Sequence, residues 1–252
     1  MTMTVTSVGN IQPINRTEAH TMAAKENERV LELLRSLAND DWSKRTDCSA
    51  WDVRALAGHV LGGMEGFCSS GRLIHMMRAA KKEARKAGSF IDGMTTVQVR
   101  ERADLTHAEV LDRLAHAGPR SARFRSRVAS PFRAMPMKQE LLSGETESWK
   151  LSYLLDTILT RDTWMHRVDI ARATGREFVQ TADHDGRIVA DAVAEWARRH
   201  GQPFSIELTG PSGGTFTQGN GGETFSLDAV ELCRIFSGRA TGSGLLAQEV
   251  PF

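Results

Sequence analysis

The chain has 252 residues, 40% of them hydrophobic and 25% charged, with a formal net charge of +1. That balance describes an ordinary globular protein large enough for one big domain or two smaller ones, and it excludes a global polyanion binder. Three widely spaced cysteines (Cys48, Cys68, Cys233) lack zinc-knuckle or C-x-x-C spacing, and there is neither a leader-like start nor a membrane-length apolar run; the expected setting is a reducing cytoplasm.

Residues 1–16 are rich in Thr and Asn, contain Pro13 and read as a flexible arm. Thr17 then opens a helix to about Leu37 whose apolar side is Val30, Leu31, Leu33, Leu34 and Leu37. After an irregular connection through Cys48, Ser49 and Asp52 mark a second helix start in SAWDVRALAGHVLGGMEGF. Val53, Leu56, Ala57, Val60, Leu61 and Met64 form its core stripe, and His59 lies off that stripe among Asp52, Ala55, Gly62, Gly63 and Gly66. Interior helix glycines cost roughly 1 kcal/mol each relative to alanine. They imply close approach by another helix or a ligand, and a histidine on such a cleared strip is a site candidate. The bland alternative is a histidine hydrogen-bonded at a helix crossing.

Arg72, Arg78, Lys81, Lys82, Arg85 and Lys86 follow between Gly71 and Gly88, the pattern of a solvated amphipathic helix. Thr106 and Glu109 make a capping box for a helix from His107 to about Leu114. The arginine-rich sequel between Pro119 and Pro136 reads as a loop or short helix, and either basic segment could help hold an anion.

The most informative stretch is KLSYLLDTILTRDTWMHRVDIARATG, residues 150–175. At helical spacing Leu151, Leu155, Ile158 and Leu159 share a side that continues into Asp162, His166, Asp169 and Ala173, while Arg161, Thr163 and Arg167 point elsewhere. Ionisable groups on an inward stripe need partners. Asp162 and His166, four apart, are spaced to grip one metal ion, or form a hydrogen-bonded core pair. Asp169 either orients His166 or pairs with an arginine, and Gly175 stops the helix. Beyond it a helix from Thr181 to His200 precedes short strand-like runs (FSIEL, TFTQ, ETFSL), a helix after Asp228 and a last strand in GLLAQEVPF. Helices followed by strands predict two units joined near 178–183. No P-loop, Rossmann or G-x-S-x-G signature is present.

Three motifs, WDVRALAGHV, RDTWMHRVDIARATGR and SGR followed by GLL and VPF, resemble in this order the mycothiol-dependent maleylpyruvate isomerase family of the DinB-like superfamily of actinobacterial thiol transferases. The resemblance covers roughly residues 20–252. It implies a DinB-like four-helix bundle over 17–178 and a small α+β, sterol-carrier-like domain over 179–252. It further implies a divalent metal, zinc first with nickel or iron as alternatives, held by His59, Asp162 and His166. The family prototype carries glutamate where Asp162 stands; the shorter side chain can still reach a metal, and Asp169 or Glu65 are the substitutes if it does not. Arg239 in the SGR motif resembles an arginine facing the active site, a catalytic and cofactor-binding candidate; Asp169 is the other catalytic candidate.

The reaction implied uses mycothiol: a metal-bound thiolate attacks a small electrophile, giving S-transfer or cis–trans isomerisation. Two other readings stay open, a metal-dependent hydrolase that activates water and a non-catalytic module that binds through its basic segments. Nucleic acid and membrane are not expected partners, and a monomer or homodimer is expected.

Overall fold

A computed structural model describes residues 5–141 and 143–252. The chain is mostly helical with a small sheet region and divides into two compact units. Arg16–Met135 with Leu151–Phe178 make the first, and residues 5–15, Pro136–Lys150 and Val179–Phe252 make the second. Both units are discontinuous, unlike the linear division expected from sequence.

The first unit contains α1 (Arg16–Arg35), α2 (Val53–Gly66), α3 (Ser70–Ala87), α4 (Phe90–Arg100), α5 (His107–Arg127), α6 (Ser130–Arg133), α7 (Leu151–Tyr153) and α8 (Leu159–Thr174). Helices α1 and α2 each pack against both α5 and α8. Their shared core includes Val30, Leu34, Leu56, Val60, Leu61, Leu114 and Ile170, all nearly inaccessible to solvent. Asp52 is the N-cap of α2, accepting from the Ala55 N–H at 2.8 Å. The expected Thr106–Glu109 capping box is formed, with reciprocal bonds of 3.2 and 2.8 Å.

Helix α5 does not stop near Leu114 but runs through Pro119 to Arg127. Its inward face continues past the proline as Ser121, Ala122 and Arg125, so tertiary burial overrides the breaker. Arg125 reaches the Leu155 carbonyl at 2.8 Å and the Thr160 hydroxyl at 2.9 Å. Burial pushes its guanidinium down to about 10, against the pull of Asp156.

The glycine strip on α2 has a plain cause. A Cβ at Gly62 would stand 2.6 Å from Gln98 Cβ and 3.0 Å from Gln98 Cα, so α4 crosses α2 there almost backbone to backbone. A Cβ at Gly66 would strike the Met76 side chain of α3. The strip is filled by neighbouring helices. Gly62→Ala gains helix propensity but must push the α4 backbone away, and we expect a net loss of about 1–2 kcal/mol in denaturant unfolding.

In the second unit β1 (Val5–Ser7), β4 (Phe204–Thr209), β5 (Gly214–Gln218) and β6 (Glu223–Asp228) form a sheet of order β1-β5-β4-β6. Strand β5 runs parallel to β1 and antiparallel to β4, which is parallel to β6. Residues 5–7, read from sequence within a loose arm, are therefore an edge strand. The unit also has a hairpin of β2 (Pro136–Glu140) and β3 (Thr146–Lys150), and helices α9 (Asp185–His200) and α10 (Ala229–Phe236). Trp196 of α9 is fully buried, with the Phe204 and Phe236 rings 4.5 and 5.5 Å from it. The expected final strand is absent: Gly244–Ala247 is a 3-10 turn and the residues after it are irregular.

Candidate metal centre

Helices α2 and α8 bring the first unit's ionisable residues together. The stretch before α8 is not one continuous helix, since α7 passes into a π-helical turn at Leu154–Ile158. There the Leu159 N–H bonds the Leu154 carbonyl five residues back, the insertion that often marks functional sites. The extra residue leaves Leu155 O accepting from Arg125 and Asp156 paired with Arg133. Past that turn α8 is buried almost all round. Arg161 and Arg167, expected to point away, are 1% and 2% exposed, and Arg167 holds Glu26 of α1 at 2.7 and 3.1 Å.

Between the two helices His59, Asp162 and His166 converge, each offering a donor atom within 4.8 Å of the others. Asp162 places one oxygen 3.5 Å from His59 Nε2 and the other 3.2 Å from His166 Nε2. The two imidazole rings are 4.9 Å apart and nearly perpendicular. Both histidines are buried, whereas the Asp162 side chain is 32% exposed, so the cluster meets solvent on the carboxylate side.

Burial works against charge on Asp162, but the charge of His166 and hydrogen bonds from both imidazoles hold its carboxyl well below the usual carboxylate range. Burial also opposes the His166 imidazolium; Asp162, Asp169 and Cys48 outweigh it and hold the ring well above the ordinary histidine value. A partly exposed carboxylate set between two imidazole nitrogens is a donor set into which a metal ion can enter in place of a proton.

Behind His166 stands Asp169, fully buried, accepting from the Nδ1 side of the ring at 3.1 Å. The Cys48 thiol donates to the same Asp169 oxygen at 3.5 Å and lies 4.0 Å from His166 Nδ1. In front of His59 the indole of Trp51 stacks at a centroid distance of 4.9 Å. Sequence reasoning missed both Cys48 and Trp51 because they sit in the irregular turn before α2. The one signal there was Trp51 next to the Asp52 cap, eight residues ahead of His59.

Glu65, a substitute ligand in the sequence reading, is elsewhere. It accepts from Arg102 at 2.6 and 3.1 Å and from Arg113 at 2.7 and 2.9 Å. Arg239 belongs to the second unit, half-buried just past α10, where its backbone N–H bonds Arg234 O at 2.8 Å.

Fold and cluster together define a class: a helical protein in which two histidines and an aspartate on packed helices form a candidate divalent-metal centre. Residues 23–171 match the family model described as the mycothiol maleylpyruvate isomerase N-terminal domain. That match spans more than half of the chain, and the chain belongs to this family.

Among solved structures it is similar to the mycothiol-dependent maleylpyruvate isomerase, with 15% identity, a TM-score of 0.57 and 94% of each chain covered. It is equally similar to a histidine-to-alanine mutant of that enzyme, with 16% identity, a TM-score of 0.56, and 94% of this chain and 93% of that one covered. At such identity the likeness shows the fold. No curated protein sequence matches.

Proposed function

We propose that this protein is a mycothiol-dependent isomerase or S-transferase acting on a small electrophile, with a divalent metal held by His59, Asp162 and His166. The observation that carries the reading is the convergence of these three side chains, within 4.8 Å, in a member of this family. Two imidazoles and one carboxylate suit zinc, with nickel or iron as alternatives, and three protein ligands leave a position for an exogenous group. The shorter side chain of Asp162 reaches both imidazoles. We read the first unit as a DinB-like four-helix bundle, a reading supported by the mutual packing of α1, α2, α5 and α8. The second, with its four-stranded sheet and two helices, we read as a sterol-carrier-like α+β domain.

A divalent cation at this centre supplies positive charge that lowers a thiol's pKa from ~8.5 into the neutral range. The remaining work falls to the chain's own residues. Asp169 accepts from His166 Nδ1, so that Nε2 faces Asp162 with its lone pair available once the proton leaves. For Arg239, in the second unit, the family resemblance alone suggests a role with a substrate carboxylate, which a guanidinium fork fits.

Addition of the thiolate to one carbon of a conjugated alkene converts the double bond to a single bond and places the electron pair on the conjugated acceptor. Rotation and expulsion of the same thiolate return the alkene in its other geometry. Protonation of that acceptor by water, followed by release of the adduct before expulsion, is S-transfer.

Calorimetric titration of metal-loaded protein with mycothiol tests this. Saturable heat that disappears on metal removal is expected. No heat from fully loaded protein would overturn the thiol assignment, and turnover that persists in the complete absence of thiol would favour the hydrolase reading instead.

A further inference from the structure

The two imidazoles of the centre are held by different means. His166 has its Nδ1 side tied to Asp169 and Cys48. His59 Nδ1 is buried and has no hydrogen-bond partner. A ligating histidine usually donates from its second nitrogen to an acceptor that fixes the ring, and His59 lacks this restraint. What meets its ring is Trp51, stacked at 4.9 Å with the planes 29° apart, with the perpendicular ring of His166 at the same centroid distance.

Trp51 is itself immobilised by backbone. Its N–H bonds Cys48 O at 2.8 Å, and its carbonyl accepts from the Thr46 N–H at 3.3 Å and the Thr46 hydroxyl at 2.9 Å. The turn closes through the Arg45–Asp52 bridge and the Val53 N–H to Lys44 O at 3.0 Å. Asp52 then caps α2, which carries His59 two turns on.

We infer that Trp51 is the positioning residue of His59: its indole face, in place of a hydrogen-bond acceptor, sets the ring orientation in which Nε2 faces Asp162. The inference rests on the proposed metal role of His59. Aromatic stacking restrains tilt but leaves the ring's second nitrogen without a proton acceptor. Replacing the indole by another flat ring should therefore preserve the site, and replacing it by an aliphatic chain of useful volume should not. The indole also lies 6.2 Å from the His166 ring, so it stands within reach of both histidines.

The experiment uses the full chain, freed of metal, with zinc titrated against a chromophoric chelator in the wild type, Trp51→Phe, Trp51→Leu and His59→Ala. Trp51→Leu is expected to weaken zinc binding about tenfold or more and Trp51→Phe less than about threefold, in the range typical of outer partners of metal ligands. In the metal-free proteins the His59 ring protons should keep their nuclear Overhauser contacts to the His166 ring, 4.9 Å away, in the wild type and Trp51→Phe, and lose them in Trp51→Leu. That readout is independent of zinc and separates ring placement from packing.

Wild-type zinc affinity in Trp51→Leu, or equal damage in Phe and Leu variants, would overturn the inference. If Trp51→Leu fails to fold, the Phe variant decides: it must keep both the His59–His166 ring contacts and the affinity. Should His59→Ala bind zinc as the wild type does, the metal reading fails on its own. If His59→Ala loses zinc and Trp51→Leu does not, only the role of Trp51 falls.

Discussion

His59→Ala and His166→Ala should each fail to retain zinc and lose thiol-dependent turnover, as the proposed centre requires, with the helical fold retained. The two side chains offer Nε2 atoms to the same carboxylate from separate helices, so neither can substitute for the other. A three-ligand centre reduced to two protein ligands holds its ion weakly. The loss should exceed the roughly 10–100-fold that changing an outer partner costs, and Asp169→Asn, which weakens the contacts to His166 Nδ1 and Cys48 but removes no proposed ligand, should fall in that smaller range. Elemental analysis after exhaustive dialysis separates the cases. Full metal content in both alanine variants would refute the site.

Glu65→Leu should cost about 3–5 kcal/mol of stability, a drop in melting temperature of roughly 6–20 °C for a chain of this length. Glu65 is buried and receives two hydrogen bonds from Arg102 and two from Arg113, tying α2 to the end of α4 and to α5. Arg102 is itself nearly inaccessible to solvent, so removing the carboxylate strands a buried guanidinium. The double variant Glu65→Leu with Arg102→Leu should recover a large part of the loss, because an apolar pair of similar volume has no charge to desolvate. Zinc content should not change in either protein. A melting temperature within a degree or two of wild type would show the cluster to be dispensable, and lost zinc would tie Glu65 to the metal after all.

The helix pattern was legible where apolar spacing carried it. The run 151–174 announced its inward face, and on it Asp162, His166 and Asp169 lie together as the spacing implied. Its π-helical turn was not legible, because one extra residue in a hydrogen-bond ladder leaves no mark in composition; in the fold it coincides with Arg125 bonding Leu155 O from another helix. Nor was the burial of Arg161 and Arg167 legible, since charge alone argues for solvent until a partner such as Glu26 is known. The Gly62–Gly66 strip was rightly read as a place of close approach, but only the fold shows that Gln98 and Met76 fill it. Cys48 and Trp51 escaped notice because irregular turns have no periodicity from which a facing direction can be inferred. The discontinuous second unit escaped for a related reason: the β1–β5 pairing joins residues far apart in sequence.

The most direct test of the account is anomalous scattering at the zinc edge from crystals grown with zinc. It predicts one strong peak about 2.0–2.2 Å from Nε2 of both His59 and His166 and from an Asp162 oxygen. A peak seated instead on Cys48 and Asp169, or no peak between α2 and α8 from zinc-saturated crystals, would contradict it.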